Sequence, residues 1–138
     1  MSSRPSPRVN EINRPFWEAC NGGKLILQRC LASDCERFVY YPRVCCPHCG
    51  GGDLQWTEVS GRGRILSYTA VHRPQHESFY PEAPIQFMAV TLEEGPLMYS
   101  RLLDVSSDDG NLLDRAVQVV FVDHGNGDKV PFFELVRD

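Results

Sequence analysis

The sequence has 138 residues, a formal net charge of −4 and a pI of about 5.5. Apolar residues make up 42% and charged residues 23%, which indicates a folded chain rather than a disordered one. The acidic balance argues against nucleic acid as a partner, because binding to phosphates needs a surplus of cations. With no apolar run of about 20 residues and no signal-like start, we expect a cytoplasmic protein without membrane contact.

The N-terminal part of the chain predicts a leader, one short helix and three strands. Residues 1–12 are rich in Ser, Pro and Arg and predict a loosely packed leader. Asn13 is a candidate N-cap for a helix over residues 13–20, which Gly22 and Gly23 would end. Short strands rich in β-branched and aromatic residues are predicted over residues 24–29, 36–41 and 54–59.

From residue 60 onwards the pattern predicts a second, mainly β module. Gly61-Arg62-Gly63 predicts a turn, and residues 111–116 predict one helical turn before the fourth strand. Five strands are predicted over residues 64–73, 85–93, 97–104, 117–123 and 129–137. This arrangement is typical of a small Greek-key barrel of the OB type, although a β-sandwich would give much the same pattern.

The chain therefore divides into three predicted segments. They are a flexible leader at 1–12, a helix plus a rubredoxin-like ribbon at 13–59, and a five-stranded OB-fold barrel at 60–138.

Four of the six cysteines form two close pairs, Cys30-x4-Cys35 and Cys46-x2-Cys49, with ten residues between them. In a chain without an export signal such pairs indicate a metal site, because the cytosol keeps thiols reduced. Two tight turns bring four thiolates around one ion, and a closed shell of four thiolates is typical of structural zinc. We predict that these four cysteines ligate one zinc ion per chain.

Neighbouring residues leave alternatives to this ligand set. Cys45 stands beside Cys46 and offers a looser Cys45-x3-Cys49 pair, while His48 is expected to point outward. Cys20 is expected to be a buried residue of the helix. Iron in a rubredoxin-like site uses similar ligands, so the sequence leaves an electron carrier open.

No catalytic motif of the nucleophile-elbow, Walker or dinucleotide-binding type occurs in the sequence. Residues 74–84 predict a loop that is longer than usual hairpin connections, and such loops tend to be functional or disordered. Arg73, Phe79 and Tyr80 are candidate ligand-binding residues, because OB barrels bind ligands on a strand face and its flanking loops. A module that binds single-stranded nucleic acid is the alternative function.

A set of short motifs occurs in an order that is specific as a whole. In the N-terminal half the motifs are Pro15-Phe16-Trp17, Leu27-Gln28-Arg29-Cys30, Tyr41-Pro42-Arg43 and Cys46-Pro47-His48-Cys49-Gly50. In the C-terminal half they are Ser60-Gly61-Arg62-Gly63-Arg64-Ile65, Ser67-Tyr68-Thr69 and His72-Arg73-Pro74. From about residue 12 to the end, the sequence resembles the zinc-ribbon plus OB-fold proteins of the domain of unknown function 35 (DUF35) family.

The resemblance implies a helical segment, a zinc ribbon and an OB-fold, without catalytic activity of the chain alone. It implies an auxiliary subunit that partners a thiolase-superfamily enzyme in acyl-CoA metabolism of lipids, steroids or aromatic acids, with acyl-CoA as a ligand of the OB-fold. Two features depart from the family pattern. The first cysteine pair has four intervening residues where two are common, and Arg115-Ala116 replaces a glycine before the penultimate strand.

Overall fold

The computed structural model describes residues 5–125 and 127–137. Within this part of the chain a helix, α1 (Arg14–Asn21), precedes eight strands. The strands are β1 (Ile26–Cys30), β2 (Phe38–Val39), β3 (Leu54–Glu58), β4 (Arg62–Val71), β5 (Ile85–Leu92), β6 (Leu97–Leu103), β7 (Ala116–Asp123) and β8 (Lys129–Leu135). Short 3-10 helices lie at Glu77–Glu82 and Ser107–Asp109.

The first three strands form a small antiparallel sheet in the order β2-β1-β3. Its central strand, β1, carries Gln28 opposite Val39 of β2 and Trp56 of β3. After Cys30, the last residue of β1, the chain leaves the sheet and then returns to it through β2. The two turns that carry the cysteines therefore lie at the same end of the sheet. The sheet is the ribbon that the aromatic and β-branched runs predicted.

The remaining five strands close into a barrel in the order β4-β5-β6-β8-β7. All pairs of neighbouring strands in the barrel are antiparallel except β6 and β8, which pair in parallel through Leu102 and Leu103 of β6. Buried side chains from every strand fill the interior, among them Ile65, Val90 and Phe133. A closed barrel confirms the OB-type prediction and excludes the β-sandwich.

The ribbon and the barrel share one hydrophobic core. Phe16 and Cys20 of α1 and Leu27 of β1 are buried in the same cluster as Val90 and Phe133 of the barrel. Continuous apolar packing of this kind stabilises one module against the other, because burial of apolar surface favours association.

Asn13 is the N-cap residue of α1, as predicted, but its side chain does not cap the helix. Asn13 makes no side-chain hydrogen bond to the first turn of the helix. Its side chain accepts a hydrogen bond from the Asn10 amide at 2.8 Å and donates to the Tyr41 hydroxyl at 2.9 Å. Asn13 is buried, so its amide group is used to join the residues before the helix to the ribbon.

Three predicted loops and turns of the second module also differ from the structure. Residues 111–116 contain no helical turn, and the helical insertion before the fourth barrel strand is the 3-10 helix Ser107–Asp109. Residues 74–84 are not wholly irregular, because they contain the 3-10 helix Glu77–Glu82. Arg62 and Gly63, predicted in a turn, are the first two residues of β4.

Part of the predicted leader contacts the folded body. The carbonyl oxygen of Pro5 accepts a hydrogen bond from Nε2 of His124 at 3.0 Å, and the side chain of Asn10 accepts one from the Asn13 amide at 2.9 Å. Residues 1–4 lie outside the described residues. None of the helices in the described part of the chain is long and apolar enough to cross a membrane.

Candidate metal centre and neighbouring clefts

The structure brings Cys30, Cys35, Cys46 and Cys49 together at one end of the ribbon. Their four Sγ atoms all lie within 4.8 Å of one another. Two of these separations are 3.6 Å, between Cys30 and Cys49, and 3.7 Å, between Cys35 and Cys46. Residues from two separate turns therefore converge on one point, as their spacing predicted.

These separations fit a tetrahedral zinc ion. Four Zn–S bonds of about 2.3 Å at tetrahedral angles place neighbouring sulfurs about 3.8 Å apart. The observed distances of 3.6 and 3.7 Å are close to that value and far above the roughly 2.05 Å of a disulfide bond. The four thiols could therefore hold one ion without rearrangement of the backbone, and zinc would supply structural crosslinking there.

The backbone of each turn is arranged to support a negatively charged sulfur. Every sulfur accepts a hydrogen bond from the backbone N–H of the residue two positions further along the chain. In the second turn His48 donates to Cys46 and Gly51 donates to Cys49, both at 3.4 Å. In the first turn Ala32 donates to Cys30 and Arg37 donates to Cys35. Hydrogen bonds to an ionised acceptor are stronger than those between neutral groups. Metal binding requires thiolates, so these donors favour the ligand form of the cysteines.

The two turns share a backbone conformation although their lengths differ. Glu36 follows Cys35 with φ of 57°, and Gly50 follows Cys49 with φ of 81°. This left-handed residue turns the next N–H towards the sulfur, which is how Arg37 and Gly51 reach their acceptors. The two extra residues of the first pair are accommodated in the turn before Cys35, where the amide of Cys35 donates to the carbonyl of Ala32 at 3.0 Å.

Four thiols this close cannot all ionise without a cation between them. Although burial raises the pKa of Cys46, backbone N–H groups and neighbouring thiols lower it to about 7. For Cys30 the Ala32 amide acts in the lowering direction, but burial and the other three thiols raise the pKa to about 12. A divalent cation would allow all four thiols to ionise, because it attracts all four sulfurs at once.

The neighbouring residues that offered alternatives lie elsewhere. Cys45 is exposed and does not belong to the cluster of four sulfurs. His48 is exposed and its Nδ1 lies 3.4 Å from Nη1 of Arg37, in agreement with the outward orientation that we predicted. Cys20 is fully buried in α1, and this burial raises the pKa of its thiol to about 12.

The three predicted ligand-binding residues do not line any of the four best-formed clefts among the described residues. Phe79 packs between two histidine rings, 6.4 Å from His76 and 6.0 Å from His124 between ring centroids. Tyr80 is 51% exposed, and Arg73 lies in the exposed segment after β4. Ligand binding by Arg73, Phe79 and Tyr80 stays a prediction.

The same segment contains a serine close to a histidine. The Oγ of Ser78 lies 2.7 Å from Nδ1 of His76, and the Ser78 amide donates to the same nitrogen at 3.2 Å. Both bonds belong to the N-cap of the 3-10 helix. A nucleophile–base pair would need a third group to orient the ring, and Nε2 of His76 has no such partner among the described residues. This geometry is that of a cap.

A larger cleft, which the sequence did not predict, lies between the ribbon and the turn that joins β5 to β6. It has a volume of about 610 Å³, within the usual range of ligand sites. Its ribbon side is lined by Glu36, Arg37, Phe38, Val39, Tyr40, Arg43, Pro47 and His48, and its barrel side by Glu94, Gly95, Pro96 and Leu97. The arginines were visible in the sequence, but only the fold places residues 94–97 opposite them.

The outer face of the barrel carries an exposed aromatic pair. Phe87 of β5 and Tyr99 of β6 are 42% and 60% exposed, and their rings stack at 6.0 Å with an interplanar angle of 2°. Tyr99 lies opposite Ala89, and Phe87 lies opposite Arg101, so the pair is diagonal across two neighbouring strands. A shallow depression of about 180 Å³ borders both rings.

A four-cysteine ribbon followed by a closed five-stranded barrel defines the class of two-module zinc-ribbon and OB-fold proteins. The sequence matches the family model of the ChsH2 rubredoxin-like zinc ribbon domain over residues 17–55. It matches that of the ChsH2 C-terminal OB-fold domain over residues 56–122. The chain belongs to the DUF35 family, with a zinc ribbon and an OB-fold of the ChsH2 type.

Two relatives are similar to this chain over about two thirds of its length or more. A DUF35 domain-containing scaffold protein of Methanothermobacter thermautotrophicus is 35% identical over 94 residues, which are 67% of this chain and 68% of that protein. A probable enoyl-CoA hydratase alpha subunit of Thermomonospora curvata is 36% identical over 105 residues, which are 76% of this chain. The match spans only 32% of the hydratase subunit's own length.

Among solved structures, one described as "Ltp2-ChsH2(DUF35) aldolase" superposes with a TM-score of 0.80 at 30% sequence identity. The superposition covers 94% of this chain and 98% of that chain. Both modules and their arrangement are therefore common to the two proteins.

Proposed function

We propose that this chain is a non-catalytic scaffold subunit that binds a thiolase-superfamily enzyme of acyl-CoA metabolism, in the breakdown of lipids, steroids or aromatic acids. One observation carries the proposal: the chain superposes over nearly its whole length on a structure whose description pairs ChsH2(DUF35) with Ltp2. The names of two relatives, a scaffold protein and an enoyl-CoA hydratase subunit, also support a scaffold in acyl-CoA chemistry.

Within this proposal Cys30, Cys35, Cys46 and Cys49 hold one structural zinc ion. The support is the sulfur geometry together with the four backbone donors. The ribbon sheet has only three short strands, and a module of that size gains much of its folding free energy from the metal. Reduced thiols are required for this role, which favours a cytoplasmic setting.

The outer barrel face around Phe87 and Tyr99 is the surface that we assign to the enzyme partner. Exposed aromatic side chains of this size are typical of protein interfaces, where they supply much of the binding energy. Leu97, on the same face, is also partly exposed. A partner subunit that covers these side chains would remove apolar surface from water.

Co-expression with a thiolase-superfamily protein encoded by a neighbouring gene tests the proposal. We expect the two chains to co-purify in a fixed ratio, and Phe87→Ser with Tyr99→Ser to weaken the complex about tenfold or more, because aromatic residues dominate such interfaces. Leu113→Ser is the matched control, since Leu113 is 51% exposed and lies outside this face.

Two results would contradict the proposal. One is that the zinc-loaded chain does not associate with the thiolase-type subunit. The other is that the purified chain catalyses acyl-CoA turnover alone.

The stacked pair also favours a second candidate, a module that binds single-stranded nucleic acid. Exposed aromatic rings on an OB barrel are a common stacking surface for bases. The chain has a net charge of −4, which opposes binding to phosphates. A salt titration with a labelled oligonucleotide distinguishes the two, since this candidate predicts affinity that falls steeply with salt and depends on Phe87 and Tyr99.

A further inference from the structure

The cleft between the ribbon and the β5–β6 turn follows the outer edge of the ribbon sheet. Its ribbon side includes both residues of β2, and β2 is an edge strand because the sheet order is β2-β1-β3. We propose that this edge receives an extended acidic segment of the enzyme partner, which adds a strand to β2. The source of the segment rests on the proposed function, and its chemistry rests on the residues that line the cleft.

The main chain of Phe38 faces the open edge of the sheet. The Cys30 amide donates to the Arg37 carbonyl oxygen at 2.9 Å, so Cys30 and Arg37 form a hydrogen-bonded pair of the β1–β2 ladder. Hydrogen-bonded and non-hydrogen-bonded pairs alternate along an antiparallel ladder. The next pair, Arg29 and Phe38, is therefore not hydrogen-bonded, and the N–H and C=O groups of Phe38 point away from β1.

Unpaired main-chain groups at a sheet edge are a template for strand addition. An extended peptide beside β2 can accept a hydrogen bond from the Phe38 amide and donate one to the Phe38 carbonyl oxygen. Because β2 has only two residues, the added strand is limited to about this one pair of main-chain bonds. Side-chain contacts in the cleft must therefore supply most of the affinity and the selectivity.

Two arginines on the ribbon side of the cleft favour an acidic segment. Neither Arg37 nor Arg43 forms an ion pair with a carboxylate in the described part of the chain. The guanidinium of Arg37 contacts the ring of His48, with Nη1 3.4 Å from Nδ1. A guanidinium carries a permanent charge and binds a carboxylate through two parallel N–H bonds. The cleft thus offers two cations that still lack a counter-ion.

The position of Arg43 is fixed by the ribbon. The buried side chain of Gln28 exchanges two hydrogen bonds with the main chain of Arg43. Only the side chain of Arg43 is then left to be ordered by a bound segment, which lowers the conformational cost of binding.

Two carboxylates also line the cleft and oppose an acidic segment. Glu94 is engaged on the barrel side, because its carboxylate accepts a hydrogen bond from the Ser60 amide at 2.9 Å. Glu36 is exposed and lies beside Arg37. Removal of the charge of Glu36 should therefore tighten binding of the segment.

The opposite wall joins the cleft to the face that we assign to the enzyme partner. Gly95, Pro96 and Leu97 form this wall, and Leu97 is exposed. Leu97 and Tyr99 are two residues apart on β6, so their side chains lie on the same face of the strand. The exposed surface around Phe87 and Tyr99 therefore continues through Leu97 into the cleft. A partner that covers the aromatic pair can extend a segment along β2.

Amide hydrogen exchange of the zinc-loaded full chain, free and in complex with the co-expressed thiolase-type subunit, tests strand addition. In the free chain we expect the Phe38 amide to exchange fast and the Val39 amide, which faces β1, to exchange slowly. In the complex the Phe38 amide should exchange about tenfold more slowly, because it gains a main-chain hydrogen bond. An amide of the acidic segment should gain protection as well.

Charge variants of the same complex test the selectivity for an acidic segment. Arg37→Gln and Arg43→Gln should each weaken the complex about tenfold, as expected for the loss of a charged hydrogen bond. Glu36→Gln should strengthen it severalfold, a gain that misfolding cannot produce. Arg8→Gln is the matched control, because it removes the same charge from an exposed position outside the cleft.

Two results would overturn the inference while the scaffold proposal stands, because the complex still forms in both. One is a Phe38 amide that exchanges equally fast in the free chain and in the complex. The other is unchanged affinity of both arginine variants with zinc retained. A single-stranded oligonucleotide that displaces the enzyme partner through the same arginines would assign the cleft to nucleic acid instead. The absence of any complex would contradict the proposed function itself and the inference with it.

Discussion

The side-chain amide of Gln28 and the main chain of Arg43 exchange two hydrogen bonds, of 2.8 and 2.7 Å. Gln28 lies at the centre of β1, two residues before Cys30, and Arg43 lies three residues before Cys46. A single buried side chain therefore joins the first cysteine turn to the second. This contact connects the two turns through protein groups alone.

Gln28→Ala should destabilise the zinc-loaded protein. Loss of this side chain leaves the amide and carbonyl of Arg43 without their partner, at a cost of about 1–3 kcal/mol in the free energy of unfolding. Urea denaturation measures the change, and the rate of zinc transfer to a chelator should rise. Gln55→Ala is the control, because Gln55 is exposed on the neighbouring strand β3. Equal effects of the two substitutions would contradict a joining role for Gln28.

The adjacent cysteines Cys45 and Cys46 should differ completely in metal binding. Cys46 is buried in the cluster of four sulfurs, whereas Cys45 is exposed and outside it. We expect Cys45→Ser to retain one zinc per chain and Cys46→Ser to lose it, together with a folding contribution on the order of 10 kcal/mol. Elemental analysis and circular dichroism measure the two effects. Retention of zinc by Cys46→Ser and its loss from Cys45→Ser would reverse the ligand assignment.

The cluster of four cysteines could be predicted from the sequence, because the information that specifies each cysteine turn is local. Only two residues separate Cys46 from Cys49, and the turn that joins the two cysteines is determined by these four residues themselves. The 610 Å³ cleft could not be predicted, because Arg43 and Leu97 come from separate modules and meet only in the folded chain. Asn13 is the N-cap residue as predicted, but its side chain does not cap the helix for a similar reason, since a distant residue, Tyr41, binds the side chain that local rules assign to the first turn.

The strands of the barrel were predictable from their apolar pattern, but their exact beginnings were not. Glycines usually indicate turns, and this rule placed Gly63 before β4. In the structure Gly63 lies inside β4, where it pairs with Leu92 of β5 and Val117 of β7. A side chain at this position would prevent the close approach of β4 and β5. From the sequence alone, a glycine that is required for close packing of strands cannot be distinguished from a glycine in a turn.

The ion pair between Asp109 and Arg137 should make stability depend on pH in the acidic range. Nη1 of Arg137 donates to Asp109 at 2.7 Å, and this bond, with one from the Ser106 amide, lowers the pKa of Asp109 from 3.8 to about 2. A carboxyl group with a lowered folded-state pKa stabilises the fold above its unfolded pKa, and that stabilisation is lost as pH falls from about 4 to about 2.

Asp109→Asn should therefore be less stable than the original chain at pH 7, and the difference should shrink as the pH approaches 2. Denaturant midpoints at pH 7, 4 and 2.5 measure this convergence. Asp108→Asn is the control, because Asp108 is exposed and has no ion pair among the described residues. Loss of zinc at low pH affects all three proteins, so only the difference between them reports on the ion pair. A difference that stays constant with pH would contradict this role of Asp109.

Gly63→Ala should destabilise the barrel through a steric clash alone. A Cβ atom at Gly63 would lie 2.5 Å from the carbonyl oxygen of Thr91 and 2.7 Å from a methyl group of Val90, so that β4 and β5 would have to separate. Overpacking of this kind costs about 1–3 kcal/mol, measured as the free energy of unfolding. Gly22→Ala is the control, because its nearest neighbouring atom would lie at 3.5 Å and its φ is −88°. A Gly63→Ala variant as stable as Gly22→Ala would show that the two strands are less closely apposed than the structure indicates.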